Sequence, residues 1–387
     1  MRLVRPHYLV FEPRAQPELA LRQLLSGADE PAVRWVALAP HLEHEVEVEA
    51  ADLALFSWLA PGIEVESSVL ESRFGAARIA CLVEAGLLIG AHDAHATWRQ
   101  RDARLREARW WGPAALAQVF GRWDGVDVAA AERDEGRRSV HDLLAAHGPP
   151  PPAALAVGAA SARHPLPPPA TSALDALLGA RATCRNFDAS ADLDAPVLAT
   201  MLHRVFAAQA AQTLAPGATM LKKTSPSGGG LHPIEAFVLV QRAEGLAAGL
   251  YHYHCQAHAL EPIATLDAAA AAAAAHELVA GQPWFADAPV LVLLAARFAR
   301  NTWKYPHHAK AWKVVQLDAG HLSQTLLLSA TELGLGAFVT AAINDACAER
   351  LFGLDGVDIG AVAVCGFGRR AEHAVVREFD PLGRVPR

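Results

Sequence analysis

"KKTSPSGGGLHPIE", residues 222–235, runs straight into "AFVLVQ", and reading this junction decides the second half of the chain. Three successive glycines cost backbone entropy, so a turn or a close approach to a ligand must require them. A Walker loop would need Lys-Ser/Thr after the glycines, whereas Leu231-His232 follows. A Rossmann loop would follow a strand and open a helix. Here the glycines precede a strand, and both nucleotide motifs are rejected. A Ser-Gly backbone remains, either as a tight turn or as a surface on which a planar ligand can lie.

Outward from this point, strands separated by helices predict an α/β or α+β domain. "EAFVLVQ", "APVLVLLAA" and "IGAVAVCGF" are short continuous apolar runs, as expected of strands buried on both faces. "DAPVLATMLHRVF" predicts an amphipathic helix from Asp194, with Pro196 in its first turn. "VVQLDAGHLSQTLLLSATELGLG" predicts a long helix ending at Gly334. It is apolar nearly all round, hence buried centrally or at a subunit interface. The alanine run 268–276 reads as a surface helix.

Upstream, "HGPPPPAALAVGAASARHPLPPPA" predicts a Pro/Ala-rich linker over 147–170, separating an N-terminal domain (1–146) from a second domain (171–387). In the first domain, residues 49–90 predict three short helices followed by a strand, an order similar to a winged helix. Few basic residues lie on the second of these helices, which points to peptide docking or packing rather than DNA reading.

The chain has 387 residues, 52% apolar and 19% charged, with a net charge of −7. Nothing in this balance advertises nucleic acid or an anionic membrane as partner. The N-terminus lacks the apolar core of a signal peptide, and no apolar run reaches transmembrane length. Five dispersed cysteines argue against a disulfide framework. The expectation is a cytoplasmic protein with reduced thiols.

Several stretches could carry chemistry. In "RATCRNFD", Arg181, Thr183 and Arg185 alternate, so an extended backbone points all three to one side as an anion clamp. In "NTWKYPHHAKAWK", Lys304 and Tyr305 are adjacent and could share a proton as a base; the bland alternative is an exposed basic loop. His307 and His308 point apart on most backbones and have no carboxylate at ligand spacing, so no metal is expected. Gly334 and Gly336 follow the long helix, and Arg369 and Arg370 follow an apolar strand, at ends where ligands tend to sit.

The order of these pieces resembles the SagB-type dehydrogenases of the flavin-dependent nitroreductase superfamily, in the branch of peptide maturation dehydrogenases. It runs Arg-x-Thr-x-Arg-x-Phe, Pro-Ser-Gly-Gly-Gly-Leu-His-Pro-x-Glu, Gly-Leu-Tyr-His-Tyr (249–253), Lys-Tyr, Asp-Ala-Gly-His-Leu-Ser-Gln and Gly-Leu-Gly-Ala, and covers about residues 171–387. The resemblance implies an α+β, nitroreductase-like homodimer with FMN at the subunit interface. It would oxidise azoline rings in a ribosomally made precursor peptide, beside a cyclodehydratase or other maturation enzymes. It assigns Arg181, Thr183 and Arg369 to the FMN phosphate and ribityl, and Arg185 to the pyrimidine edge. Pro226, Ser227, Gly228 and Gly229 would lie against the ring, with Gly334 and Gly336 near N5 and O4. Lys304 and Tyr305 would be the catalytic pair, either as a neutral buried lysine or as a tyrosinate beside an ammonium. The sequence departs from the family pattern at His232, where tyrosine is usual, at Thr183, where serine is usual, and at Pro306, where glycine is common. Two other readings are kept: another flavin redox step, such as dehydroamino acid reduction or NAD(P)H-dependent nitroreduction, and a flavin-free peptide-binding scaffold.

Overall fold

The structure, a computed structural model, describes residues 1–15, 33–134 and 139–385. Two compact units divide the chain. The first comprises Met1–Arg122, Arg297–Val315 and Asp355–Gly360; the second comprises Trp123–Ala296, Gln316–Leu354 and Ala361–Arg387.

The first unit carries two small antiparallel sheets. Strands β1 (Arg2–Val4), β5 (Val65–Glu66) and β6 (Ile89–Gly90) pair in the order β5-β1-β6, and β2 (Val10–Ala15), β3 (Val33–Leu38) and β4 (Val46–Val48) in the order β2-β3-β4. Helices Ala50–Trp58, Ser67–Phe74 and Ala76–Glu84 lie between β4 and β6. This is the run of three helices and a strand expected from residues 49–90, with the two sheets added. Gly75 (φ 92°) separates the last two helices and Gly86 (φ 73°) follows the third, conformations that only glycine takes at low cost. Leu3, Leu55, Phe56, Leu70, Leu82 and Leu88 form the core of this unit.

In the second unit six strands form one sheet. β9 (Ile234–Val240), β10 (Gly249–His254), β11 (Ala259–Thr265), β12 (Val290–Arg297), β13 (Gly336–Thr340) and β14 (Ile359–Gly368) stand in the order β11-β10-β9-β12-β14-β13. The three apolar runs are the central strands β9, β12 and β14, and no residue of Val290–Ala296 is exposed. β9 pairs antiparallel with both β10 and β12, and β13 with β14. The fold is therefore α+β. A hairpin of β7 (Ala210–Ala215) and β8 (Ala218–Lys222) precedes the glycine-rich stretch, and every residue of β7 is exposed. Residues 148–172 hold no regular element beyond one 3-10 turn at Ala160–Ala162, and all are exposed.

The helix at 195–206 forms as expected, with Asp194 at its N-cap. The alanine helix, Ala268–Leu278, is capped by Asp267, which accepts from the Ala270 amide at 2.8 Å, and buries Ala271, Ala274, Ala275 and Leu278 along one side. The long helix runs Ala309–Glu332, starting earlier than expected. It stops where Gly334 takes φ 70° and the Leu335 amide returns to the Ala330 carbonyl at 2.8 Å. It is not buried all round: Gln316, Leu317, Gly320, His321 and Gln324 form an exposed stripe. Among the described residues no helix is long and apolar enough to cross a membrane.

Candidate functional site

The segment 181–187 covers the outer edge of β13. Thr183 bridges Ala337, and the Cys184 amide donates to the Ala337 carbonyl at 2.9 Å. Over 181–185 this extended backbone produces the expected alternation: Ala182 and Cys184 are buried, while Arg181, Thr183 and Arg185 are half-buried; the alternation ends there, since Phe187 is buried. Neither the Arg181 guanidinium nor the Thr183 hydroxyl has a hydrogen-bond or ion-pair partner among the described residues. The Arg185 guanidinium carbon lies 5.8 Å from the Phe285 ring centroid.

Two further residues fix this segment. A Cβ on Gly336 would stand 2.4 Å from the Cys184 sulfur, so β13 and the arginine segment meet because that side chain is missing. Gly336→Ala is expected to cost about 1–3 kcal/mol by overpacking, read as a lower urea midpoint. Glu378 is the second. It accepts from the Arg185 amide at 2.6 Å, from Asn186 Nδ2 at 3.0 Å and from Arg370 Nη1 at 2.7 Å. Arg370 is thereby committed to structure, whereas Arg369 is exposed and lies 3.8 Å from Asp194. Burial pushes the Glu378 carboxyl up, but these three donors outweigh it and hold the pKa below the usual range. A depressed carboxyl stabilises the fold above the ordinary glutamate pKa of about 4.3, and that share is lost as pH falls through the lower folded value. Glu378→Gln is expected to cost about 1.5–3 kcal/mol near neutral pH. In urea titrations the gap from wild type should close steadily below about pH 4.

The glycine-rich stretch is a 3-10 turn, Gly228–Gly230, between β8 and β9. Gly229 and Gly230 both sit at φ 70°, so the turn itself requires glycine at two of the three positions. The turn is pinned to the long helix. Asp318 accepts from Ser227 Oγ at 2.5 Å and from the Gly228 amide at 3.1 Å. His321 Nδ1 lies 3.2 Å from the Pro226 carbonyl, and Thr325 Oγ1 lies 2.8 Å from Ser225 Oγ. Residues 318, 321 and 325 share one helix face. Asp318 is 3% exposed; burial raises its pKa, and the Ser227 and Gly228 donors work against that rise. The sequence predicts the helix that carries these three residues but assigns them no task. Their i, i+3, i+7 spacing of polar groups on an apolar helix was the available signal. Glu378 lies in a C-terminal stretch without periodicity and left no such signal. Lys223, 4% exposed, lines a small cavity with Ser225, His232 and Asp318, and no pattern in the sequence marks it.

Lys304 and Tyr305 belong to the first unit. The basic-loop alternative does not hold, because the stretch is helical on both sides of a tight turn. Helix Phe298–Lys304 ends at Tyr305, His307 takes φ 54°, and the long helix starts at Ala309. Asn301 Nδ2 donates to the Ala311 carbonyl at 3.0 Å and ties the two helices together. Lys304 is exposed and Tyr305 half-buried, with Lys304 Nζ 5.6 Å from the Tyr305 ring centroid. The buried lysine that one version of the catalytic pair requires is therefore not found. His307 Nδ1 lies 3.1 Å from the Trp110 carbonyl, while His308 Nδ1 accepts from the Lys310 amide at 3.1 Å.

Residues 178–369 match the nitroreductase family. They form a nitroreductase-family domain. Every candidate site residue expected from the sequence lies within these limits, whereas Arg370 and Glu378 lie beyond them. A protein named as a nitroreductase in Methanocaldococcus jannaschii is 32% identical over 126 residues, covering 32% of this chain and 60% of that protein. The trifolitoxin-processing protein TfxB of Rhizobium leguminosarum bv. trifolii is 32% identical over 138 residues, covering 35% of this chain and 36% of that protein. The microcin B17-processing protein McbC of Escherichia coli is 28% identical over 155 residues, covering 38% of this chain and 54% of that protein. The matches thus span less than two thirds of each relative. Together with the domain, the two processing proteins bear out the resemblance to SagB-type dehydrogenases drawn from motif order.

Proposed function

We propose that this protein is an FMN-dependent dehydrogenase of the SagB type that oxidises azoline rings in a ribosomally made precursor peptide. One observation carries the reading. Arg181 and Thr183 are held on a rigid sheet edge with their polar groups unmatched among the described residues. Such donors, with Arg185 beside them, fit an anionic phosphate ester. FMN meets that requirement. Arg181 and Thr183, helped by the exposed Arg369, would hold its phosphate and ribityl, and Arg185 its pyrimidine edge. Pro226, Ser227, Gly228 and Gly229, with Gly334 and Gly336, offer main chain rather than bulky side chains to a flat ring.

When bound, FMN supplies a two-electron acceptor for the hydride leaving the azoline Cβ. The chain's own task is the other half of the oxidation. Tyr305, with Lys304 beside it, takes the acidic Cα proton, and aromaticity of the product ring makes the loss favourable. Lys304 acts here as a charge, a role that suits its exposure. The exposed stripe of the long helix, with Leu317 and the side-chain-free Gly320, suits close contact with a second copy of the chain. The first unit docks the peptide, and a cyclodehydratase supplies its rings.

The test is direct. Protein reconstituted with FMN should show oxidised-flavin absorbance that bleaches anaerobically when an azoline-bearing peptide is added, with loss of two mass units from the peptide. Absence of flavin bands would leave the scaffold reading standing. Rapid bleaching by NADPH, with none by the peptide, would favour a reductase.

A further inference from the structure

A cavity of about 10 Å³ lies within the first unit, between residues 110–114 and the two helices that flank the Lys304–Tyr305 turn. That volume holds one guest the size of a single water or ion. Trp110 and Trp312 both line it, and the indole N–H of each is buried without a hydrogen-bond partner among the described residues. Trp110 is only 2% exposed. An indole nitrogen donates and never accepts, so whatever matches it must be an acceptor. Two such donors left buried and unmatched on one small cavity are costly and therefore rare.

The rest of the lining adds donors and positive potential. His308 Nδ1 accepts from the Lys310 amide at 3.1 Å, so neutral His308 carries its proton on Nε2. The Thr302 hydroxyl is held by the Phe298 carbonyl at only 3.3 Å, a weak bond that leaves it able to turn toward a guest. Ala114 stands in the first turn of helix Gly112–Phe120 and Ala311 in the first turn of the long helix, so the positive ends of two helix dipoles meet the cavity. Residues 297–317 hold five Arg or Lys and no carboxylate, and residues 108–123 hold two Arg and no carboxylate, in a chain whose net charge is −7. Asn301 Oδ1 is an unmatched acceptor, but Asn301 does not line the cavity. A water would need acceptors for its own protons, whereas a monatomic anion needs only donors and positive potential.

The donors are set in advance by the fold. The Trp110 carbonyl accepts from Tyr8 Oη at 2.6 Å and lies 3.1 Å from His307 Nδ1, and the Arg109 carbonyl accepts from the His307 amide at 2.8 Å. The Trp110 ring packs on Phe298 with centroids 4.5 Å apart. We propose that this cavity is a halide site filled by chloride. The Trp110 and Trp312 N–H groups grip the ion, which ties the turn bearing Lys304 and Tyr305 to residues 110–114. The site stands whether or not the dehydrogenase reading holds.

Crystals of the full-length protein with FMN, soaked in sodium bromide, are measured at the bromine absorption edge. An anomalous peak is expected in the cavity, within hydrogen-bond distance of both indole nitrogens. In solution the urea midpoint should rise with sodium chloride and saturate, beyond any rise in sodium gluconate of equal ionic strength. Amide exchange in residues 303–308 should slow in chloride and not in gluconate, a readout of the turn that needs no activity. Trp312→Phe keeps an aromatic ring and removes the donor; it should bind chloride about tenfold to a hundredfold more weakly. The wild-type crystal and exchange data decide the matter even if that variant folds poorly. No peak in the cavity, peaks only on the surface as adventitious ions, or equal midpoints in chloride and gluconate would overturn the proposal. So would exchange of the turn that ignores chloride, or an unchanged chloride affinity in Trp312→Phe.

Discussion

Tyr305→Phe and Lys304→Ala proteins are expected to keep their flavin absorbance and lose azoline oxidation by a factor on the order of 10²–10⁴, the usual contribution of a positioned proton acceptor. Tyr305→Phe removes only the oxygen to which the proposal assigns the proton. Lys304→Ala removes the charge beside it. Because the two act as a unit, the double variant should fall little further than Tyr305→Phe alone. Single-turnover flavin bleaching by the peptide isolates the chemical step. Full activity in either single variant would remove the pair from the mechanism. Lys304→Arg tests the role of the charge: it should restore part of the rate lost in Lys304→Ala.

Arg181→Ala should weaken FMN binding by about 2–5 kcal/mol, or roughly 30-fold to several thousandfold, as expected when one partner of a desolvated charge pair is truncated. Quenching of flavin fluorescence on titration measures it. Riboflavin, which lacks the phosphate, serves as the control: its affinity should barely change in the variant. An equal loss for riboflavin and FMN would place Arg181 away from the phosphate. Thr183→Ala should follow the same pattern with a smaller loss of about 0.5–1.5 kcal/mol, appropriate to a neutral donor.

How far the molecule could be read in advance follows from the range of the forces involved. Strands β9, β12 and β14 were legible because burial on both faces leaves uninterrupted apolar runs. The shared side of Arg181, Thr183 and Arg185 was legible because a period of two survives in any extended segment. The helices of residues 50–84 announced themselves through apolar spacing and through Gly75 and Gly86. The β7–β8 hairpin did not, since an exposed ribbon carries no apolar alternation. The helical turn at residues 298–315 was hidden by Pro306 and the paired histidines, which read locally as loop. Its tie, from Asn301 to the Ala311 carbonyl, spans ten residues and leaves no periodic trace. Glu378 and Asp318 lay furthest out of reach. Their partners stand 193 and 91 positions away, so only the fold discloses what they hold.

The anchoring of the glycine turn by Asp318, His321 and Thr325 has a bearing on protein engineering. A chimera that borrowed residues 222–235 as a cassette would import the letters without the scaffold that shapes them. To transplant this motif into another host, the recipient must also supply a carboxylate, an imidazole and a hydroxyl in matching helical phase.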